Sequence, residues 1–156
     1  MDLIAHRGFA ADGVENALPT LVAAADRADA VEFDVRLSRD GVPVIFHDER
    51  VDRLTAATGP VAAFDADELT ALALEGTDAT IPTLSAVLEA LTGPIVPDLK
   101  VDALTQRIVD RLAGYEGRVL ASSFRPALLS DLPAGIERGV LVAPPEADRE
   151  WPVPST

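Results

Sequence analysis

No cysteine occurs among the 156 residues, which excludes both a disulfide framework and thiolate-bound metal. Lysine is nearly absent too. Of 13 basic residues only Lys100 is a lysine, and 26 acidic residues bring the formal charge to −13. A chain so poor in positive charge lacks the basic face that nucleic acid or an anionic membrane requires. No apolar run approaches the ~18 residues needed to cross a bilayer. The opening MDLIAHRGF meets an acid and a His–Arg pair at once, unlike a signal peptide. These absences predict a soluble, cytoplasmic protein. Acid-rich, lysine-poor composition suits a high-salt cytoplasm, where dense carboxylates stay hydrated; high-GC codon usage, which exchanges Lys for Arg and enriches Ala, is the other account. The length is that of one domain and falls short of the ~250 residues typical of a closed (β/α)₈ barrel.

What is present is an alternation of short apolar runs with helical stripes. Strands are predicted at Leu3–Ala5, Ala30–Leu37, Val42–Phe46, Pro94–Leu99, Arg118–Ser122 and Ile136–Val142. Helical spacing is carried by Leu18, Leu21, Val22 and Ala25, and by Leu84, Val87, Leu88 and Leu91 after a cap at Thr83. Leu104, Ile108 and Leu112 form a third stripe after Asp102, and Pro126 opens a short fourth helix through Leu132. Such alternation predicts an α/β fold with a parallel sheet. Two stretches interrupt it. Ser38-Arg39-Asp40-Gly41 is too short for a helical crossover and by itself signals a hairpin. Residues 48–80 are a polar excursion with a small helix near Asp67–Leu74, capped by Asp65 with Glu68 three residues on. The tail 144–156 is proline-rich and expected to be irregular.

The chemistry-bearing residues gather at predicted strand ends. His6 and His47, the two histidines, each follow a strand, where the active face of α/β folds lies. One histidine at such a place is usually structural; two point towards function. Glu32 and Asp34 are two apart on one strand and leave the same face. They are either a solvated polar face or, if the strand is covered on both sides, a pair that needs a cation. Oxygen ligands of this kind suit Mg²⁺, Ca²⁺ or Mn²⁺. Asp98 and Lys100 repeat the spacing on another strand. Lys100 is either a chance surface survivor or a compact ammonium placed against a phosphate oxygen. Together with Arg7, the set suits metal-assisted phosphoryl chemistry.

His6-Arg7-Gly8, Glu15-Asn16, Glu32-Phe33-Asp34, and Asp40-Gly41-Val42-Pro43-Val44 leading into His47-Asp48 resemble, in order and spacing, the glycerophosphodiester phosphodiesterase family. Ile81-Pro82-Thr83-Leu84 and Ser123-Phe124 resemble its later landmarks. The resemblance implies a TIM-barrel-type parallel β/α fold over residues 1–143, with 48–80 as the family's insertion and 144–156 as a tail. It implies that about six strands are present and the last two missing, an incomplete barrel whose open edges invite self-association. It also implies that the Asp-Gly link joins two neighbouring barrel strands in place of a hairpin. Glu32, Asp34 and Asp98 would bind a divalent cation, Mg²⁺ or Ca²⁺. His6 and His47 would be the general acid and base, Arg7 and Lys100 would hold the phosphate, and Glu15 and Asn16 would brace the site or touch the glycerol. The chain departs from the family in having Asp98 for a usual Glu, Ala17 for a usual Thr, and no match for the strand that carries Trp-Thr, since Trp151 stands in the tail. The implied function is hydrolysis of a small glycerophosphodiester to glycerol phosphate and an alcohol. One alternative is a truncated or partner-completed homologue that keeps metal and phosphate binding without turnover. Another is a phospholipase-type phosphodiester chemistry on the same scaffold, which ranks last because no apolar membrane-facing loop is visible.

Overall fold

The computed structural model describes residues 3–11 and 13–142. The expected Pro-rich tail, with Trp151, lies outside the described residues. The strict alternation of Val31, Phe33 and Val35 with Glu32 and Asp34 builds β2 (Ala30–Leu37), which is buried on both faces from Val31 to Val35. Around it stand β1 (Ile4–Ala5), β3 (Pro43–Ile45), β4 (Ile95–Leu99), β5 (Leu120–Ser123) and β6 (Glu137–Val140). Each coincides with one of the six predicted runs, β5 reaching one residue beyond its own to Ser123. Five of them form a sheet in the order β1-β2-β4-β5-β6, every neighbouring pair parallel. Among the described residues the sheet does not close on itself, so they form the wall of an open TIM-type barrel. At its two ends Leu3, Ile4 and Val140 are exposed.

The helices α1 (Leu18–Ala25), α3 (Leu84–Ala90), α4 (Gln106–Ala113) and α5 (Pro126–Ser130) cover the outer face of this wall. Leu21, Ala24, Leu84, Val87, Ile108, Leu112, Leu128 and Leu129 pack against Val31, Phe33 and Val35 in one core. Each fully buried side chain of this size contributes about 1.5–3 kcal/mol. Thr83 caps α3 as expected, its hydroxyl accepting from the Ala86 N–H at 3.1 Å. The cap of α4 is Thr105 rather than Asp102, and Leu104 lies just before the helix. The reason is local: Thr105 Oγ1 reaches the free N–H of Ile108, three residues on.

The sixth strand corrects one expectation. β3 pairs antiparallel with β2, Val35 opposite Ile45 and Leu37 opposite Pro43. The hairpin signal in Ser38–Gly41 is therefore right, and the parallel neighbour implied by the resemblance is not what forms. Four residues cannot carry the chain back for a parallel pairing, which takes a dozen or more. Gly41 turns the corner at φ +74°, and Val42 is tied to Ser38 through both the Ser38 N–H and its hydroxyl. Alternation along β3 then divides two cores. Ile45 joins the main one, while Val44 and, just past the strand, Phe46 join a second with Val51, Val61, Leu69, Leu74 and Ile81. Residues 48–80 thus have an apolar centre of their own, with α2 (Ala66–Thr70) entered through an Asp65–Glu68 capping box, as expected.

β1 and β3 lie on the same edge of β2, because β4 occupies the other edge from Val31 to Val35. They run towards each other and stop short of meeting, β1 opposite Val31 and β3 opposite Val35. His6 and His47, one residue past Ala5 and one past Phe46, are delivered to the gap between them. The turn out of β1 is tight. Arg7, Gly8 and Phe9 have φ of 50°, 76° and 57° in succession, and Asn16 has 60°. A Cβ on Gly8 would lie 3.0 Å from the backbone of Thr20 and Leu21 in α1, whereas one on Gly41 would meet nothing within 4 Å. Both glycines need the left-handed region, which costs other residues about 1–2 kcal/mol. Only Gly8 adds a backbone clash. Gly41→Ala should therefore cost about 1 kcal/mol and Gly8→Ala more than ~2 kcal/mol in urea denaturation; equal losses would contradict the close approach of the first turn to α1.

Candidate active site

In the gap along the edge of β2, the backbone of Asp34 has no strand to pair with on its N–H. The side chain of Asn16 fills that place. Its Oδ1 accepts from the Asp34 N–H at 3.2 Å, and its Nδ2 donates to Asp34 Oδ2 at 2.9 Å. The Asp34 carbonyl accepts from Phe46 N–H at 3.0 Å. Asn16 is itself 2 % exposed. A buried backbone donor is thereby satisfied by a side chain, which also aims a carboxylate. Of the two places offered to Asn16 by the resemblance, bracing is the one its contacts occupy.

β2 and β4 are in register at Asp34 and Asp98, so these two carboxylates leave the same face of the sheet side by side. Glu32 leaves that face two residues earlier. The exposures are 9 %, 1 % and 4 % for Glu32, Asp34 and Asp98, which removes the solvated-face alternative. Oxygens from all three lie within 4.8 Å of one another. Two cations lean on the cluster. Lys100 Nζ is 2.9 Å from Asp98 Oδ2 and 3.4 Å from Asp34 Oδ1. Arg7 Nε is 3.3 Å from Asp34 Oδ2, without the alignment of a hydrogen bond, and Arg7 N–H donates to Glu32 Oε2 at 2.8 Å. Three carboxylates against two cations leave an excess negative charge in a dry place. Burial, and then the charge of Asp34, push the Glu32 carboxyl up to about 7. Asp98 Oδ1 is buried with no hydrogen-bond partner. An all-oxygen set with one orphaned buried oxygen fits a hard divalent cation.

Each histidine follows a different strand, His6 after β1 beside this cluster and His47 after β3 beside Asp48. His6 is largely exposed, with Nε2 3.9 Å from Glu32 Oε2. Partial burial and the charge of Arg7 push its imidazole below the ordinary value, against the pull of Asp34. His47 is part-buried, and its Nδ1 is 2.7 Å from Asp48 Oδ1. The hydrogen bonds of Arg53, followed by that of His47, hold the Asp48 carboxyl far below the usual carboxylate range against its partial burial. An ionised carboxylate only accepts, so Nδ1 of His47 is the donor and Nε2 is left as the basic nitrogen. Arg36 Nε donates to the carbonyl of His47 at 2.7 Å. Glu15, whose Oε1 is 3.3 Å from Arg7 Nη1, stands between the two groups.

All nine residues singled out in the sequence are in this region. The roles of Asp48, Arg53 and Arg36 were missed. Asp48 adjoins His47, and Arg36 shares the strand face of Glu32 and Asp34, so spacing signals both; Arg53 carries no local signal. Beside Lys100 a cleft of about 690 Å³ opens between the turn Val61–Ala63 and the segments after β4 and β5, lined by Arg36, Phe124 and Arg125 among others. A cavity of about 670 Å³ between α3 and α4 holds none of these groups.

Residues 6–134 match the model of the glycerophosphoryl diester phosphodiesterase family. The glycerophosphodiester phosphodiesterase of Caldanaerobacter subterraneus subsp. tengcongensis is 30 % identical over 147 residues, covering 83 % of this chain and 60 % of the relative. That of Bacillus altitudinis is 31 % identical over 160 residues, covering 89 % and 65 %. The chain thus spans less than two thirds of the length of these relatives. Among solved structures, an Oleispira antarctica phosphodiesterase in complex with the product sn-glycerol-3-phosphate superposes with a TM-score of 0.77 at 30 % identity, covering 94 % of this chain and 68 % of its own. The Thermotoga maritima glycerophosphodiester phosphodiesterase gives 0.73 at 29 %, covering 92 % and 63 %.

The raised Glu32 carboxyl has a consequence for the metal-free protein. A group whose pKa is higher in the folded state stabilises the fold fully below its unfolded value, here about 4.5, and loses that contribution as pH rises through about 7. Metal-free protein should lose roughly 3 kcal/mol of stability across this window. Thermal melts from pH 4.5 to 8 would register it, and Glu32→Gln should flatten the curve. A melt that rises steadily over the same range in both proteins would contradict the buried, like-charged setting of Glu32.

Proposed function

The chain belongs to the glycerophosphoryl diester phosphodiesterase family, and on that premise we propose that it hydrolyses glycerophosphodiesters to glycerol phosphate and an alcohol. Glu32, Asp34 and Asp98 hold a divalent cation, Mg²⁺ or Ca²⁺; His6 and His47 are the acid–base pair. The observation that carries this reading is the dry cluster of three carboxylates with an unpartnered oxygen on Asp98, with His6 Nε2 3.9 Å from Glu32. The relative solved with sn-glycerol-3-phosphate supports the substrate class.

A divalent cation on these oxygens supplies Lewis-acid withdrawal of charge from the phosphoryl group. The chain's own residues supply the rest. Lys100 and Arg7 present positive charge to the non-bridging phosphate oxygens in a chain otherwise dominated by acid. His47, with Nδ1–H held on Asp48, takes the proton of the attacking oxygen at Nε2. His6 gives a proton to the alcohol oxygen as its bond to phosphorus breaks. Asn16 keeps Asp34 aimed, and Glu15 keeps Arg7 in place. The cleft beside Lys100 has room for one of the two ester substituents.

The second reading, a chain that binds cation and phosphate without turning over, is separated by experiment. Calorimetry should show Mg²⁺ or Ca²⁺ binding that disappears in the Glu32→Ala, Asp34→Ala double variant; unchanged affinity would remove the metal assignment. Glycerophosphocholine and glycerophosphoethanolamine should be cleaved with metal present, chelation should stop the reaction, and His47→Ala should lower kcat by ~10²–10⁴. Metal binding with no cleavage of either substrate would select the second reading.

A further inference from the structure

We infer that Arg53, a residue outside the motifs that suggested the site, is a positioning residue for His47, acting through Asp48. The inference rests on the proposed role of His47. Arg53 lies in the 48–80 segment, and its guanidinium uses both of its edges. Nε and Nη2 donate to Asp48 Oδ2 and Oδ1 at 2.7 and 2.9 Å. Nη2 and Nη1 donate to Glu15 Oε1 and Oε2 at 2.6 and 3.3 Å. Both oxygens of Asp48 thus accept from Arg53, while Oδ1 also faces His47 Nδ1 at 2.7 Å. A carboxylate free to rotate would offer Nδ1 a moving acceptor; one locked by a fork offers a fixed acceptor and hence one tautomer.

The contact reaches further. Glu15, clamped by Arg53, is also the partner of Arg7 Nη1, and Arg7 leans on Asp34 and Glu32. The loop after β1 and the segment after β3 are joined by this single side chain of the latter. Glu15, His47 and Asp48 bring ligand atoms within 4.8 Å of one another, a grouping that could be read as a second cation site. The Arg53 guanidinium already stands against the four carboxylate oxygens of that group. A lysine ammonium cannot reproduce the arrangement, because it is a point charge without two donor edges. Arg53 is about half exposed, so solvent limits what its ion pairs add to the stability of the fold. Its effect falls on geometry at the site.

The test uses Arg53→Met and Arg53→Lys in the full chain, loaded with Mg²⁺. The chain has two histidines, so ring ¹⁵N spectra can be assigned with a His6→Gln variant. Wild type should show His47 in the Nδ1–H tautomer. Arg53→Met should show a mixture of tautomers, with kcat lowered ~10–100-fold, KM within about threefold and Mg²⁺ affinity by calorimetry unchanged. Arg53→Lys should restore charge but not the tautomer or kcat. A single wild-type tautomer in both variants overturns the inference, and so does loss of Mg²⁺ affinity in step with kcat, which would mark a general collapse of the site. If wild type cleaves no glycerophosphodiester, the proposed function fails while the tautomer spectra still decide the role of Arg53.

Discussion

Between Val31 and Val35, one edge of β2 receives two strands from opposite directions and leaves a gap that neither fills. The rest of the site follows from that gap. A backbone N–H buried without a partner costs about 1–3 kcal/mol, so Asp34 needs an acceptor there, and the Asn16 side chain supplies it at the expense of a left-handed backbone. The two histidines reach the same place because His6 comes one residue, and His47 two, after its strand stops. Had β3 continued parallel, His47 would have left the sheet at another level. The hairpin at Asp40-Gly41 is thus what brings the second imidazole to the first.

Charge is arranged around the same point in two tiers. The inner tier, Glu32, Asp34 and Asp98, is dry and short of one positive charge, with Lys100 and Arg7 as its counter-ions. The outer tier, Glu15 and Asp48, is part-exposed and held by hydrogen bonds from Arg53. The difference in hydration decides their behaviour. Desolvation dominates within the inner tier and lifts Glu32 towards neutrality, while hydrogen bonds from a guanidinium dominate outside and keep Asp48 ionised. Twelve of the thirteen basic residues are arginines, so the single ammonium stands where there is room for one point contact between two carboxylates.

Strand and helix placement was legible because periodicity reports burial directly. Val31, Phe33 and Val35 face one core in fact as in pattern, and Asp65 with Glu68 caps α2 where the spacing put it. The parallel reading of the Asp-Gly link failed where likeness to a family was preferred to local geometry. Chain length between Leu37 and Val42 already held the right answer. The candidate residues were found through strand ends and through motif order, yet the sequence could not tell a solvated Glu32–Asp34 pair from a buried one. That distinction needs β4 in register alongside, a long-range fact. Arg53 escaped notice for the same reason, being an ordinary arginine until the partner loops are placed.

The alternation of β3 divides its neighbours between two apolar centres, Ile45 in one, Val44 and Phe46 in the other. His47 follows immediately and so belongs mechanically to both. Small cores open more readily than large ones, and segments of this size exchange their amides as separate cooperative units. Phe46, packed in the smaller core, anchors the strand end that leads to His47, while the three carboxylates stand on the parallel wall packed in the larger one. Local opening of either core is therefore enough to part the imidazole from the carboxylates.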